Sequence, residues 1–255
     1  MSSSLRLGNC FDLAMSLPNE SVDCIVTSPP YNKCGVGGGL FRKIEYDMFD
    51  DTLEEGEYQD QQIRLLNILF HKVKEGGSLF YNHKVRYYDG DAISPWEWLP
   101  ITKWNIREEI IWNRGSGPEI SGYRFIQTDE RIYWLVKGNK HPRLSNKHRD
   151  FTSVWKFPPD MKNDHPAPFP LELPLRCIES VLPQPGVVLD PYNGSGTTGV
   201  AATLLGHDYI GFDLSQSYID MAKKRIENPS QRDLKNFRSF SDKIPVVESP
   251  LDSLF

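Results

Sequence analysis

The sequence predicts a doubly wound α/β fold, in which helices cover both faces of a mainly parallel sheet. The main observation is that short apolar runs alternate with stretches of helical periodicity, most clearly in the C-terminal third of the chain. The second observation is size and composition. The chain has 255 residues, 39% of them hydrophobic and 25% charged, which suffices for the core of one large globular domain.

In the N-terminal half, the elements follow from apolar patterning and from the residues that interrupt it. The run SVDCIV at 21–26 predicts a buried strand. It must stop at Ser28-Pro29-Pro30-Tyr31, because proline donates no ladder hydrogen bond. The clustered glycines that follow indicate a mobile loop at 32–51. The remaining expected elements are a helix over 54–77 ending on Gly76-Gly77, a strand at 78–84, a short helix around 94–103, and strands at 106–114 and 129–138.

The periodicity is lost from about 138 to 164 and returns in the C-terminal third. The expected elements there are a helix at 170–182, a strand at 186–190, a helix at 196–206, a strand at 208–213 and a helix at 215–227. The tail at 228–255 is rich in serine, proline and charge, which predicts a loosely docked or disordered end. We therefore expect one domain over 1–227, followed by this tail.

The composition favours a cytoplasmic protein. No run approaches the roughly 18 apolar residues of a membrane-spanning helix, and the start MSSSLRLGNC lacks the apolar core of a signal peptide. Cysteines lack CxxC spacing, so we expect reduced thiols, no disulfide framework and no metal site. These cysteines are Cys10, Cys24, Cys34 and Cys177.

One stretch is strongly basic although the net charge of the chain is −5. The segment KGNKHPRLSNKHR at 137–149 carries lysines, arginines and two histidines but no acidic residue. A negative total charge argues against a surface coated with nucleic-acid-binding groups, yet it allows a local basic groove. From the residues alone, this stretch is either a solvated face or a binding site for phosphates.

The glycine-rich turn in VVLDPYNGSGTTG indicates a cofactor site. Gly194-x-Gly196-x-x-Gly199 follows a predicted strand and opens a predicted helix, and Asp213 ends the next strand, 19 positions past Gly194. Glycines permit a tight turn close to a ligand, and an acid at the second strand tip can accept hydrogen bonds from a ribose. This context predicts an adenosine-containing cofactor, which leaves NAD, FAD and S-adenosylmethionine open.

Two details favour S-adenosylmethionine. Asp190 lies directly before the turn, where a carboxylate suits a cationic sulfonium and repels a pyrophosphate. Thr197 and Thr198 open the helix, where their hydroxyls can cap amide groups. Asp213 could also serve simply as the N-cap of the following helix.

Two long stretches resemble a known family. GNCFDLAMSLPNESVDCIVTSPPYN and, far downstream, HPAPFPLELPLRCIESVLPQPGVVLDPYNGSGTTGVAA are similar to the DNA methyltransferases that modify exocyclic amino groups, N6 of adenine or N4 of cytosine. The order of the two motifs is that of their beta group, and the resemblance covers most of 5–227. It implies a Rossmann-like sheet of the S-adenosylmethionine-dependent methyltransferase type with a circularly permuted motif order.

The resemblance also implies roles for site residues. The Ser28 side chain and the Pro29 carbonyl would accept the amino hydrogens, Pro30 would stiffen the corner, and Tyr31 would stack on a base rotated out of the duplex. No covalent enzyme intermediate is required. Asn9 stands where relatives usually carry aspartate. The residues implied to bind the cofactor are Asn9, Cys10, Phe169, Pro170, Asp190, Tyr192, Gly194, Ser195, Gly196, Thr197, Thr198 and Asp213.

With double-stranded DNA as substrate, the basic stretch becomes a candidate for phosphate contacts. Its cations are Lys137, Lys140, Arg143, Lys147 and Arg149. The segment 137–163 is then a short target-recognition segment, in which 149–163 could read base edges. The resemblance leaves a separately encoded restriction endonuclease and a homodimer as possible partners.

The serine at position 28 favours cytosine N4 as the target, with adenine N6 as the alternative, because adenine-specific relatives usually carry aspartate or asparagine there. Two other hypotheses come from different classes. One is an NAD- or FAD-dependent oxidoreductase, which leaves the Ser28-Pro29-Pro30-Tyr31 corner unexplained. The other is a nucleic-acid-binding module without turnover.

Overall fold

The computed structural model describes residues 2–32, 53–88, 90–115, 117, 124–139, 142, 144–145, 152–160 and 169–243. The strands are β1 Ser3–Leu7, β2 Val22–Thr27, β3 Val73–His83, β4 Arg86–Tyr88, β5 Asp91–Ile93, β6 Asn105–Asn113, β7 Asp129–Val136, β8 Val154–Lys156, β9 Val187–Asp190 and β10 Asp208–Asp213. The helices are α1 Cys10–Ser16, α2 Glu55–Lys72, α3 Glu172–Val181, α4 Thr197–Leu204, α5 Gln216–Glu227 and α6 Gln231–Ser241. None of these helices combines the length and the apolar character needed to cross a membrane.

Eight strands form one sheet in the order β1-β10-β9-β2-β3-β7-β6-β8. Neighbours from β1 to β3 are parallel, β7 is antiparallel to both β3 and β6, and β8 is parallel to β6. Within this sheet, β7 therefore runs against the other seven strands. The predicted doubly wound, mainly parallel fold is confirmed.

The direction of the chain across the sheet changes between β2 and β9. From β2 the chain continues outward to β3, whereas from β9 it continues to β10 on the other side. In open α/β sheets, ligands bind at the carboxyl ends of the strands beside such a switch point. We call this edge of the sheet the site edge.

The core consists of two layers that sandwich the sheet. Alternate residues of β2 point to opposite faces, so that Val26 packs in one layer and Ile25 in the other. The first layer includes apolar side chains of α3 and α4, and the second includes those of α2. Burial on both faces explains why β2 reads as a nearly continuous apolar run.

The predicted helix over 54–77 is too long. Helix α2 ends at Lys72, and β3 begins at once and passes through Gly76 and Gly77. A Cβ at Gly77 would lie 2.4 Å from Val73 Cγ1 and 2.8 Å from the Asp23 carbonyl oxygen. The glycine therefore permits close approach of β3 to β2, rather than ending a helix.

Two further features of the local structure differ from the expectations, and a third expectation falls outside the described residues. Two 3₁₀ turns, Pro95–Glu97 and Leu99–Ile101, replace the single short helix expected around 94–103. Strand β1 and helix α1 form at the N-terminus, where no element was expected. The loop expected at 32–51 lies almost entirely outside the described residues.

Part of the expected recognition segment belongs to the core. Strand β8 pairs with β6 at the edge of the sheet, and Trp155 and Phe157 are buried. The guanidinium of Arg176 lies 5.4 Å from the Trp155 ring centroid and 5.3 Å from that of Phe157. The prediction that 149–163 reads base edges is therefore wrong for Trp155 and Phe157, since these two side chains are buried against the sheet.

The expectation of an irregular tail is wrong for 228–243. Helix α6 begins with a capping box formed by Ser230 and Asp233, and it packs against α3 and α4. Phe240 is only 2% exposed and belongs to the core layer of those helices. Residues 244–255 lie outside the described part of the chain.

The Phe240→Ala variant tests whether α6 is part of the folded core. Truncation of a buried phenylalanine should lower the free energy of unfolding by about 3–5 kcal/mol, as measured by urea denaturation. The control is Lys235→Ala on the exposed face of the same helix, which should change it by no more than about 0.5 kcal/mol. Equal stability of the two variants would contradict the docked helix.

Candidate cofactor and catalytic site

The ends of β2 and β9 are joined by a buried hydrogen bond at the site edge. The Thr27 hydroxyl donates to Asp190 Oδ1 over 2.8 Å, although the two residues are 163 positions apart. The Thr198 hydroxyl donates to Asp190 Oδ2 at 2.8 Å, and the Tyr192 amide donates to Oδ1 at 3.0 Å. Asp190 therefore connects the strand before the Ser28-Pro29-Pro30-Tyr31 corner to the glycine turn and to the first turn of α4.

Asp190 lies beneath the surface of the site. Its side chain is 1% exposed, and both of its oxygens accept hydrogen bonds from the protein. Burial raises its pKa from 3.8 to about 6, although hydrogen bonds from Thr27, the Tyr192 amide and Thr198 act to lower it. That this carboxylate suits a cationic sulfonium stays a prediction. In the structure both of its oxygens accept hydrogen bonds from the protein, and the side chain holds the turn from below.

The glycines of the turn are required by both conformation and space. Gly194 and Gly196 adopt φ values of 49° and 77°, in the left-handed region. A Cβ at Gly196 would lie 2.8 Å from Ala222 Cβ, and one at Gly199 would lie 2.4 Å from Ile226 Cδ1. The turn and α4 therefore pack directly against α5, and any larger residue would push these elements apart.

Asn193, which the sequence analysis did not select, holds the turn from inside. Its Oδ1 accepts from the Tyr209 hydroxyl at 2.8 Å, and its Nδ2 donates to the Gly194 carbonyl at 2.8 Å. Asp213 acts from the next strand, where Oδ2 accepts from the Gly194 amide at 2.8 Å and Oδ1 from the Ser215 amide at 2.9 Å. Ser215, rather than Asp213, is the N-cap of α5. The Asp213 carboxylate is only partly buried at the site edge.

Arg225 is a second residue that the sequence analysis missed. Its guanidinium donates to Thr197 Oγ1 at 2.9 Å and to Ser195 Oγ at 3.3 Å, and it also forms an ion pair of 2.8 Å with Asp233 of α6. Asp233 is itself fixed by the Ser230 hydroxyl at 2.7 Å. The Ser-x-x-Asp capping signal was visible in the sequence, but its link to the glycine turn depends on the packing of α6.

Other predicted cofactor residues gather at the same edge. Asn9 caps α1 by accepting from the Phe11 amide at 2.8 Å, and the preceding Gly8 amide donates to the Asp213 carbonyl at 2.8 Å. Burial raises the pKa of the neighbouring Cys10 thiol to about 11, while a hydrogen bond with Tyr192 acts to lower it. These contacts bring the start of α1 beside the glycine turn.

Phe169 and Pro170 immediately precede α3. Phe169 is partly buried and packs against the core layer of α3 and α4, and the Pro170 carbonyl accepts from the Leu173 amide at 3.0 Å. Residues 161–168, which include most of the HPAPFP motif, lie outside the described residues. The described contacts therefore assign these two residues to the start of α3.

The backbone of the corner after β2 is anchored by a hydroxyl group. The Tyr58 hydroxyl, from α2, donates to the Pro30 carbonyl at 2.9 Å and lies 2.8 Å from His83 Nε2. Pro29 is buried and Pro30 is partly exposed. This anchoring, together with two fixed proline φ angles, holds the backbone acceptors of the corner in place.

The polar side chains of the corner form a hydrogen-bonded cluster. Ser28 Oγ lies 2.8 Å from the Tyr31 hydroxyl oxygen, and the Tyr31 hydroxyl donates to Glu130 Oε2 at 3.1 Å. Tyr31 is 9% exposed, so its ring is more enclosed than a free stacking platform would be. Glu130 comes from the start of β7, which reaches the site edge because β7 runs against its neighbours.

Asn82 and Glu130 complete this cluster, and the sequence analysis selected neither. Asn82 Nδ2 lies 2.8 Å from the Tyr31 hydroxyl oxygen and 3.1 Å from Glu130 Oε2. Glu130 is 8% exposed, and its Oε1 lies 3.2 Å from an Arg114 nitrogen and 3.8 Å from Lys84 Nζ. The end of β2, the end of β3 and the start of β7 thus meet at the corner. This meeting follows from the order and direction of the strands in the sheet.

Lys137 lies at the opposite edge of the sheet. It follows β7, and its ammonium donates to the Val73 carbonyl at 2.8 Å and to Glu20 Oε1 at 3.2 Å. This buried placement contradicts the prediction that Lys137 contacts DNA phosphates. The other cations of that prediction, Lys140, Arg143, Lys147 and Arg149, lie outside the described residues.

Comparison with known proteins identifies the family. The N6/N4 methyltransferase family model, described as DNA methylase, matches residues 22–224, which is most of the chain. The chain belongs to the N6/N4 DNA methylase family. The resemblance found in the two motifs is thereby confirmed, and the oxidoreductase hypothesis is wrong.

Individual N6/N4 DNA methylase relatives cover nearly the whole chain. The type II methyltransferase M.HinfI of Haemophilus influenzae is 28% identical over 94% of this chain and 73% of its own length. M.SmaI of Serratia marcescens is 27% identical over 88% of this chain and 91% of its own length.

Solved structures share the fold. The PvuII DNA methyltransferase (cytosine-N4-specific) superposes with a TM-score of 0.71 at 19% identity, over 95% of this chain and 93% of its own. The Thermus thermophilus protein TTHA0409 in complex with S-adenosyl-L-methionine has a TM-score of 0.64 at 24% identity, over 96% of both chains.

S-adenosyl-L-methionine is the cofactor of this N6/N4 DNA methylase. The glycine turn fits it, because Gly194 and Gly196 place no side chain over the turn and the Asp213 carboxylate is partly exposed beside it. This confirms the choice of S-adenosylmethionine over NAD and FAD.

The Arg225→Gln variant tests whether the contacts of Arg225 with Thr197, Ser195 and Asp233 hold the glycine turn in place. Loss of a charge-assisted hydrogen bond to Thr197 and of the ion pair with Asp233 should loosen the turn. We expect the Kd for S-adenosylmethionine, measured by calorimetry, to rise about tenfold, which corresponds to about 1.4 kcal/mol. Arg238→Gln on the exposed face of α6 is the control, with Kd within about twofold of wild type. A Kd unchanged by Arg225→Gln would show that Arg225 does not hold the turn in the conformation that binds the cofactor.

Asp190 predicts a particular pH dependence of stability. Because its pKa is about 6 in the folded protein against an ordinary 3.8, the folded protein holds this proton more tightly than the unfolded chain. Its contribution to stability is therefore greatest at low pH and is lost as the pH rises from about 4 to about 6, by about 3 kcal/mol.

The Asp190→Asn variant isolates this effect, because an amide of the same shape does not titrate. The free energy of unfolding of wild type, relative to that of the variant, should fall across this pH window and then stay level. A difference that is constant between pH 4 and pH 7 would show that the buried carboxyl is not responsible.

Proposed function

We propose that this DNA methyltransferase transfers a methyl group from S-adenosylmethionine to the exocyclic N4 of a cytosine rotated out of duplex DNA. One observation carries the proposal: the hydrogen bond between Thr27 and Asp190 places the Ser28-Pro29-Pro30-Tyr31 corner directly beside the glycine turn. S-adenosylmethionine supplies an activated methyl group, so the chain itself must bind and orient the amino group of the substrate base.

The corner suits an amino nucleophile. The lone pair of an exocyclic amino group is delocalised into the ring, and the nitrogen becomes nucleophilic when its hydrogens are held by acceptors. The Ser28 hydroxyl oxygen and the Pro29 carbonyl oxygen are such acceptors, and the Pro30 carbonyl is fixed by Tyr58. Because the backbone is rigid before the substrate arrives, little reorganisation is required at the moment of reaction.

The residues that we assign to cofactor contacts lie at the same edge of the sheet. We assign Asp213 to the ribose hydroxyls, because its carboxylate ends β10 beside the turn and is partly exposed. The amides of the turn, together with Asn9, Cys10 and Tyr192, would surround the rest of the cofactor. Asp190 and Arg225 act through the turn that they hold.

Cytosine N4 is preferred over adenine N6 for two reasons. The corner begins with Ser28, and the PvuII enzyme, which shares the fold, is named as cytosine-N4-specific. Adenine N6 is the alternative, since the family includes both activities. The names of the relatives as type II methyltransferases support a role in a restriction-modification pair with a separate endonuclease.

Duplex DNA would approach the site edge from outside. Arg114 and Lys84 lie there, and together they carry one positive charge more than the Glu130 carboxylate that they flank. We retain Lys140, Arg143, Lys147 and Arg149 as proposed phosphate contacts. A cytoplasmic location and a homodimer are parts of the same proposal.

Incubation with tritiated S-adenosylmethionine and unmethylated duplex DNA tests this function. After digestion of the DNA, we expect label in N4-methylcytosine. The matched control is Ser28→Ala, which should bind S-adenosylmethionine within about twofold of wild type but transfer methyl groups at least about 100-fold more slowly. Label in N6-methyladenine would overturn the choice of base, and no label in DNA would overturn the function.

A further inference from the structure

We propose that Glu130 is the proton acceptor at the end of a relay that starts at Ser28 and passes through Tyr31. This inference rests on the proposed function and names residues that complete it. The observation behind it is a continuous chain of hydrogen bonds: Ser28 Oγ lies 2.8 Å from the Tyr31 hydroxyl oxygen, which lies 3.1 Å from Glu130 Oε2.

The carboxylate sets the direction of this chain. An ionised carboxylate only accepts hydrogen bonds, so the Tyr31 hydroxyl donates its proton to Glu130. Tyr31 then has no second proton for Ser28, and the Ser28 hydroxyl must donate to the Tyr31 oxygen. The serine proton is therefore directed toward the protein interior, and the serine oxygen keeps its lone pairs for accepting hydrogen bonds.

Asn82 reinforces this direction. Its Nδ2 carries two protons, directed at the Tyr31 oxygen at 2.8 Å and at Glu130 Oε2 at 3.1 Å, with Ser28 Oγ within reach at 3.3 Å. Serine oxygen has two lone pairs, so at least one is available for an amino hydrogen of the substrate. Because the Ser28 hydroxyl donates its proton to Tyr31, it can act towards the substrate only as a hydrogen-bond acceptor.

Glu130 is placed to balance charge in an enclosed site. Its other oxygen, Oε1, faces Arg114 at 3.2 Å and Lys84 at 3.8 Å, so Oε2 alone is directed at the relay. The carboxylate is 8% exposed, and in such surroundings interactions between charges are stronger than in water. A chain of hydrogen bonds that ends on an anion is also polarised along its whole length.

In this reaction scheme Glu130 accepts the proton that the methylated amino group must lose. When the amino nitrogen takes the methyl group, the electron pair of the broken S–C bond stays on sulfur, and S-adenosylhomocysteine is left. The nitrogen becomes positively charged and must lose one proton, and the electron pair of the broken N–H bond stays on nitrogen. That proton passes to Ser28 Oγ, the Ser28 proton to Tyr31 and the Tyr31 proton to Glu130 Oε2. Ser28 and Tyr31 end unchanged, and Glu130 ends as a neutral acid that releases its proton to water before the next turnover.

The Glu130→Gln variant tests the relay. The amide keeps the shape of the side chain but cannot take the proton. With saturating S-adenosylmethionine and DNA, we expect the single-turnover rate of methyl transfer to fall at least about 100-fold. The Kd for S-adenosylmethionine should stay within about twofold, and 2-aminopurine at the target position should show the same fluorescence increase as with wild type, which reports base rotation.

The matched control is Glu109→Gln. Glu109 lies on the neighbouring strand β6 and also pairs with an arginine, Arg131 at 2.9 Å, but it lies outside the Ser28–Tyr31–Glu130 chain. Its rate should be within about twofold of wild type. A Glu130→Gln rate within about threefold of wild type would overturn the relay, and so would loss of the 2-aminopurine signal, since Glu130 would then position the base.

A second variant decides the matter if Glu130→Gln fails to fold because Arg114 loses its partner. Tyr31→Phe keeps the ring and removes the middle hydroxyl of the relay, and we expect at least about a tenfold slower transfer with an unchanged 2-aminopurine signal. A rate within about threefold of wild type would overturn the relay. Methyl transfer to DNA by wild type would leave the proposed function standing in that case, whereas a wild type without transfer would overturn both.

Discussion

The site depends on one buried hydrogen bond, from the Thr27 hydroxyl to the Asp190 carboxylate. The Ser28-Pro29-Pro30-Tyr31 corner and the glycine turn come from distant parts of the chain, and the parallel pairing of β2 with β9 brings the carboxyl ends of these strands together. A substrate base and a methyl donor can meet only if these ends keep a fixed separation. Asp190 provides it, because the same carboxylate also holds the Tyr192 amide and the Thr198 hydroxyl.

Burial of this carboxylate opposes stability, and the protein offsets the cost with three donors. The buried charge of Glu130 at the same edge is balanced in a different way, by the two cations Arg114 and Lys84 that lie beside it. The two acids are also used differently. Asp190 faces inward and fixes the backbone, whereas Glu130 is connected through Tyr31 to the surface on which the substrate would lie.

Local patterns in the sequence predicted the central elements of the fold. Strands β9 and β10, the glycine turn and helices α3 to α5 were predicted because their periodicity and glycine spacing are local properties. Strand β8 and helix α6 were missed because a short edge strand and a polar helix are stabilised by tertiary contacts. Asn82 and Glu130 could not be found from local patterns, because Asn82 reaches Tyr31 through the parallel pairing of β3 with β2, and Glu130 reaches it through the reversed direction of β7.

The pairing of β1 with β10 has a consequence for the order in which the molecule is made. Ser3 lies beside Tyr209 and Leu7 beside Asp213, so the first strand to leave the ribosome has no partner until the last strand of the sheet is synthesised. Strand β9, which separates β10 from β2, is also late in the chain. The nascent chain therefore carries the proposed catalytic corner long before it can form the glycine turn. A polypeptide released early would keep the Ser28-Pro29-Pro30-Tyr31 corner but would lack β9, the glycine turn and the partner strand of β1.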